Sequence, residues 1–392
     1  MQLPDFLRGV QRIPLAWLQL TRQPVRLAVA LAGISFAALL MFIQLGFRDG
    51  LFESSVTMHK ALNTDIVLIS PQSTASIAMK TFPLRRLYQA AAFPEVESVT
   101  ALHLNFINWK NPVTRKPRSI MALGFDPKDR VLALPGLAEN LAPLQLPDVV
   151  LFDQKSRAEF GPVGEQFRAG QTVETEVGSR RVSVGGLFSM GATFGADGNL
   201  ITSDQNFLRL FPKASRDEAE VGLIRVRPGT DVPALVEALR RMLPADVRVL
   251  SKTGFMDFER NYWASSTAIG FIFSLGAGMG FVVGGVIVYQ ILYSDVSDHL
   301  AEYATLKAMG YSDRYLLSVV FQEAILLAVL GYIPGFVLTL GLYDLTRNAT
   351  AIPVFMTGGR ASLIFNLTLV MCFISGAIAV RRLKAADPAD VF

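Results

Sequence analysis

The sequence predicts a membrane α-helical protein with four transmembrane helices and a large α+β extracytoplasmic domain between helices 1 and 2. Three observations carry this. Of 392 residues, 51% are hydrophobic and only 18% charged, against about 25% charged in soluble domains, and the mean hydropathy is +0.37. The apolar excess is gathered into four blocks, each long enough to cross a hydrocarbon core that needs about 20 apolar residues. Between the first and second blocks, residues 50–262 have an ordinary globular composition in which short β-rich runs alternate with helical ones.

Residues 1–26 are predicted to form a cytoplasmic interfacial segment. Phe6, Leu7, Val10, Ile13, Trp17 and Leu18 intersperse with Arg8, Arg12, Arg22 and Arg26, a pattern that suits the headgroup layer. Pro14 divides it into two pieces. The segment is too long and too arginine-rich before the first apolar run to read as a cleavable signal. Leu27–Phe47 is uncharged and about 31 Å long as a helix, so 27–49 is predicted as transmembrane helix 1. The helical spacing of Leu51, Phe52, Val56, Ala61 and Leu62 extends it into a stalk.

Within 50–262, strands are predicted at Asp65–Ser70, Ser119–Phe125, Val221–Val226 and Val247–Leu250, with helices at Leu84–Ala92 and Val232–Leu243. Residues from Val149 read as a strand followed by a short helix that stops at Gly161. Thr172–Phe188 alternates polar and apolar residues across Gly178-Ser179, as a hairpin does. The strand-rich stretch of about 110–215 predicts a second, outer lobe inserted into the first.

Transmembrane helix 2 is predicted at 263–293, with Gly276, Gly280 and Gly284 at four-residue spacing. They fall on one helix face and form a helix-packing seam, within the chain or in a dimer. A polar but helix-prone loop follows at 294–314, then helix 3 at 315–341, an extracytoplasmic loop at 342–362, helix 4 at 363–380 and a tail at 381–392. Arg381, Arg382 and Lys384 after helix 4, like the arginines before helix 1, place both termini in the cytoplasm.

Motifs for catalysis are missing from the sequence. It has no phosphate-binding G-x-x-x-x-G-K-[ST] loop, no HExxH and no G-x-S-x-G elbow. The single cysteine, Cys372, lies inside an apolar block and can form neither a disulfide nor a cysteine metal site within one chain. No Lys/Arg-rich block with interleaved aromatics suggests nucleic acid. Asp295, Asp298, His299 and Glu302 share a helix face. Such a group can hold a metal, but a solvated surface or protein contact is the expectation, with no metal. Glu323 is the one acid predicted inside an apolar run, away from the span ends. An acid there is costly and should face the bundle interior. With no second ionisable residue predicted in the other spans, a static hydrogen bond or helix lock is expected in preference to a proton relay. Pro334 predicts a bend in the same helix.

AEYATLKAMGYSDRYL (301–316) followed by VVFQEAILLAVLGYIPG (319–335) resembles the signature of MacB/FtsX-type permeases of ABC transporters. Glu302 and Ala304–Gly310 match its charged helix with A-x-L-K-A-h-G, and Glu323 matches its acid early in the third span. The N-terminal stretch from Ile13 to Ser55 is similar more specifically to DevC-type permeases. The resemblance implies a non-catalytic permease subunit in the cell inner membrane, working as a homodimer with a separate ABC ATPase that binds ATP and Mg. No cofactor is implied in this chain. ATPase coupling would fall on Asp298, Glu302, Thr305, Lys307, Ala308, Met309 and Gly310. It further implies a tripartite exporter completed by a membrane fusion (adaptor) protein and an outer-membrane channel. Such an exporter would work by mechanotransmission on glycolipid or another amphiphile, in contact with membrane lipid. The alternatives are an FtsX-like, non-transporting regulator of a cell-wall hydrolase and a lipoprotein-release permease of the LolC/LolE kind.

Overall fold

A computed structural model describes residues 15–299, 305, 309, 313–350 and 352–385. The chain divides into two compact units: a membrane unit of 1–50, 269–350 and 354–392, and an α/β unit of 51–268 and 351–353.

In the membrane unit, α1 (Leu15–Arg22) precedes α2 (Pro24–Ser55), which Pro24 opens at a position where its missing N–H is tolerated. Among the described residues, four helices are long and apolar enough to cross a membrane: Pro24–Ser55, Ala268–Asp298, Ser318–Thr350 and Gly358–Val380. At 32 residues, α2 is about 48 Å long. That exceeds a core of about 30 Å, and its last five residues belong to the α/β unit. Leu20 of α1 is buried in the same apolar cluster as Ala30, Ile34, Leu292, Leu327 and Met371. At the far end of α2, Arg360 donates to Asp49 Oδ2 (2.8 Å) and to the Phe355 carbonyl (2.8 Å). It lies over the Tyr343 ring.

The α/β unit begins with α3 (Thr57–Ala61) and contains eleven strands. These are β1 (Ile66–Ile69), β2 (Phe82–Pro83), β3 (Val96–Lys110), β4 (Pro117–Phe125), β5 (Val149–Asp153) and β6 (Glu174–Val177). Then come β7 (Arg180–Phe188), β8 (Asn199–Ser203), β9 (Glu218–Ala219), β10 (Val221–Val226) and β11 (Arg248–Ser251). Its remaining helices are α4 (Arg85–Ala90), α5 (Val163–Arg168), α6 (Asp204–Leu210), α7 (Val232–Met242) and α8 (Lys252–Ser265). Nine strands form one sheet in the order β11-β1-β10-β3-β4-β8-β5-β7-β6. Strand β1 lies between β10 and β11 and is antiparallel to both, so α7 is the crossover of a split β-α-β unit. Asp231 caps α7 by accepting from Ala234 N, and Leu235, Val236 and Leu239 bury its inner stripe.

The stretch of about 110–215, predicted as an outer lobe, has an apolar interior of its own and is continuous with the rest of the sheet through β3. The 15-residue strand β3, which the sequence reading missed, pairs with β10 through Val96–Leu102 and with β4 through His103–Lys110. The half after β3 curls back on itself, because β6 returns to β3 at Val177↔Trp109. Trp109, Phe152, Phe160 and Phe207 fill its interior. A second apolar cluster, including Leu102, Leu123, Leu151 and Leu223, draws on both halves. One strand and one shared apolar cluster therefore link the two halves, each of which also has a cluster of its own.

Helix boundaries in the membrane unit also differ from the sequence reading. The second span, α9 (Ala268–Asp298), begins later than Trp263. The hydroxyls of Ser265 and Thr267 bond back to the carbonyls of Asn261 and Trp263 (2.6 and 2.5 Å), a local competition that interrupts helices. The third, α10 (Asp313–Thr350), continues past 341, with Pro334 inside it. The last, α11 (Gly358–Ala385), starts before 363. The predicted 342–362 connection shortens, with α10 ending at Thr350 and α11 starting at Gly358, since no proline interrupts 342–350.

Candidate functional site

The predicted glycine seam faces α2 of the same chain. A Cβ built on Gly276 would sit 2.5 Å from the Gln44 side chain. On Gly280 it would sit 3.3 Å from Leu40 Cβ, and on Gly284 2.5 Å from both Ala37 Cβ and Met371 Sδ. Gly33 meets Ile287 in the same interface. The glycine face of α9 is thus covered within the chain by α2 and α11. The opposite face leaves Phe271, Leu275, Met279, Val282 and Val286 exposed. On its other side α2 meets α10, where Ser35 Oγ donates to the Gly331 carbonyl (2.8 Å).

The end of the bundle that carries Arg26 gathers the ionisable groups. Helix α9 runs on through 294–298, so Asp295, predicted in a loop, is a buried helical residue. The Arg26 guanidinium of α2 pairs with Asp298 (2.6 Å) and donates to Ser294 Oγ (3.1 Å). His299 Nδ1 lies 3.0 Å from the Asp295 carbonyl oxygen and 3.7 Å from its Oδ1. Glu323 of α10 is wholly buried and lies in the same α9–α10 interface as Asp295, where Leu292 and Val296 share apolar clusters with Ala324 and Val320. This corrects the expectation that no second acid reaches Glu323: Asp295 is added to the bundle because α9 is longer than its uncharged run. Among the described residues no group of three or more His, Cys, Asp or Glu could hold a metal ion. Of the coupling residues read from sequence, Asp298 pairs with Arg26, Thr305 is helical and Met309 is exposed. Glu302, Lys307, Ala308 and Gly310 lie outside the described residues.

A second polar site, which sequence reading missed, stands in the α/β unit where α2 ends and α9 is about to begin. Glu259 of α8 accepts from Ser76 N (2.8 Å), Ser76 Oγ (2.8 Å) and Trp263 Nε1 (2.9 Å). His59 Nε2 of α3 lies 3.2 Å from Ser76 Oγ, and its ring packs on Phe255. Around this knot Glu53 pairs with Lys60 and Arg260, Ser54 Oγ accepts from Phe194 N (3.1 Å), and Phe194 stacks edge-on against Trp263. Burial, helped by the nearby Arg260 charge, lowers the His59 pKa to about 3 and keeps the ring neutral. Burial also raises the Glu259 pKa, opposed by the bonds from Ser76 and Trp263. Serine, histidine and glutamate together suggest nucleophilic catalysis, but the arrangement does not support it. The carboxylate bonds the serine and stands 3.7 Å from His59 Nε2, so it does not orient the imidazole as a triad requires. His59 and Glu259 are 1% and 2% exposed, which leaves a substrate no access. The knot is a structural tie. His59 and Glu259 are 200 residues apart in sequence, and no spacing signal could have joined them.

Comparison with known proteins accords with this architecture. Residues 27–242 match the model of the MacB-like periplasmic core domain, and 274–388 match the FtsX-like permease C-terminal model. The chain belongs to the MacB/FtsX family of ABC transporter permeases. An uncharacterized ABC transporter permease of Mycobacterium tuberculosis is 24% identical over 224 residues, covering 57% of this chain and 58% of that protein. The macrolide export ATP-binding/permease protein MacB of Bdellovibrio bacteriovorus is 22% identical over 190 residues, covering 46% of this chain and 29% of that protein. These matches therefore span less than two thirds of the relatives' own length. Among solved structures, the periplasmic region of MacB from Actinobacillus actinomycetemcomitans aligns with 51% of this chain and 94% of its own (TM-score 0.34, 11% identity). The extracellular domain of YknZ, a noncanonic ABC-type transporter from Gram-positive bacteria, aligns with 48% and 100% (TM-score 0.31, 12% identity).

Proposed function

We propose that this chain is the non-catalytic membrane subunit of an ATP-driven exporter in the inner membrane, that both its termini are cytoplasmic, and that it works by mechanotransmission. The observation that carries this reading is the buried knot. It ties the residues that follow α2 to those that precede α9, through His59, Ser76, Glu259 and Trp263. A displacement of one helix root against the other is then delivered to the sheet as a whole, since packed interiors do not deform continuously. A separate ABC ATPase docks on 294–314, using Asp298, Glu302, Thr305, Lys307, Ala308, Met309 and Gly310. A homodimer meets through the outward face of α9, because the glycine face is occupied within the chain. An adaptor and an outer-membrane channel complete the assembly, and the cargo is a glycolipid or another amphiphile, as the DevC-type resemblance implies.

The test is purification of the tagged chain from mild detergent, with identification of bound proteins and an ATPase assay. An ATPase and a membrane fusion protein are expected, with turnover lost in Glu302→Lys while membrane insertion persists. An ATPase with a cell-wall hydrolase and no fusion protein would replace the exporter by a regulator. Absence of any ATPase would overturn the reading.

A further inference from the structure

Glu323 is 0% and Asp295 6% exposed, and the α9–α10 interface brings their helix faces together: Leu292 and Val296, which flank Asp295, share apolar clusters with Ala324 and Val320, which flank Glu323. Among the described residues no donor reaches either Glu323 oxygen or Asp295 Oδ2. Two potential cations stand on the Asp295 side of the interface, and none meets Glu323 among the described residues. Arg26 of α2 holds Asp298 and Ser294, and His299 lies against the Asp295 main-chain carbonyl, with its Nδ1 3.7 Å from the carboxyl. The rest of the surroundings is apolar: Val296 of α9, Val320 and Ala324 of α10, and Gly376 and Val380 of α11.

An ionised carboxylate only accepts hydrogen bonds. Two ionised carboxylates at this interface would repel one another, and among the described residues no donor meets the Glu323 oxygens to offset the loss of water. A hydrogen bond between two carboxyl groups exists only when one of them carries a proton. We propose that Asp295 and Glu323 form a proton-binding site, a carboxyl–carboxylate pair that holds one proton and joins α9 to α10. The ligand is a single proton taken from water, and release returns it with no other bond made or broken. Separating the helices removes the second carboxyl from the shared bond. Helix movement at this end and proton binding are therefore linked, and by reciprocity each biases the other. The site does not depend on the exporter reading; it rests on the bundle alone.

Infrared spectroscopy of the full chain in lipid vesicles tests this, through the C=O stretch of a protonated carboxylic acid and its shift in heavy water. At neutral pH the wild type should show one such buried acid per chain. Glu323→Gln and Asp295→Asn should each lose it, because the new amide supplies the donor that the proton supplied. Both variants keep one hydrogen bond across the interface, so both should remain folded; if one does not, the other decides. A wild-type spectrum without the acid band would overturn the proposal. So would a band that persists in a folded variant, or one that disappears on adding sodium.

Discussion

Two buried glutamates in this molecule have opposite surroundings. Glu259, in the α/β unit, is met by three donors: the Ser76 amide, the Ser76 hydroxyl and the Trp263 indole. Glu323, in the membrane unit, is more deeply buried and has no donor among the described residues. It shares its interface with another acid instead. A buried acid with its acceptors filled is part of the scaffold, and removing it leaves its donors stranded. A buried acid without donors among the described residues contributes nothing comparable to stability.

That contrast predicts its largest effect at Glu259. Glu259→Leu strands three neutral donors, each at about 1–3 kcal/mol when left unpaired, and should cost about 3 kcal/mol or more. Glu323→Gln should cost less than about 1 kcal/mol. Urea titration of the detergent-solubilised chain, followed by fluorescence of the α/β unit's Trp109 and Trp263, measures both. Equal losses at the two positions would remove the distinction between them.

The knot also predicts a pH dependence. The folded His59 value of about 3 lies below the ordinary 6.5, so the unfolded chain binds more protons between those limits. Its contribution is complete above pH 6.5 and falls as the pH drops toward 3, by about 1.4 kcal/mol per unit. Glu259, with its pKa raised, runs the other way: its contribution is present at low pH and fades as the pH rises through its folded value. Comparing His59→Gln with wild type isolates the histidine slope, which should vanish in the variant.

Smaller effects sharpen the picture of the bundle. Gly284→Ala places a methyl 2.5 Å from Ala37 Cβ and should cost about 1–3 kcal/mol by overpacking. Gly278→Ala meets nothing within 4 Å and should leave the thermal melt unchanged. Arg26→Ala breaks a pair whose side chains are 32% and 48% exposed and should cost about 1 kcal/mol or less. A larger loss would mean that the pair anchors the end of α9.

Much of the architecture was legible in the sequence where one physical signal dominated. The four apolar helices follow from composition, and the β6–β7 hairpin from alternation across Gly178-Ser179, with Gly178 at φ +60°. Strand β3 was not legible because it serves two halves of the sheet in turn. Its burial pattern changes along its length, so no single alternation appears. The two buried acids divide in the same way. Glu323 was legible as an acid in an apolar run, but its partner was not, since Asp295 lies beyond the end of the uncharged stretch. Glu259 and His59 sit in ordinary polar surroundings in the sequence and meet only through the fold.

The central claim is that the acid without donors is the one that works. ATP turnover of the complex purified through this chain, compared between wild type and Glu323→Gln at equal amounts of folded protein, tests it most directly. The account predicts a folded variant whose turnover falls on the order of tenfold, within the range of ordinary coupling energies. Unchanged turnover in the folded Glu323→Gln protein would contradict it.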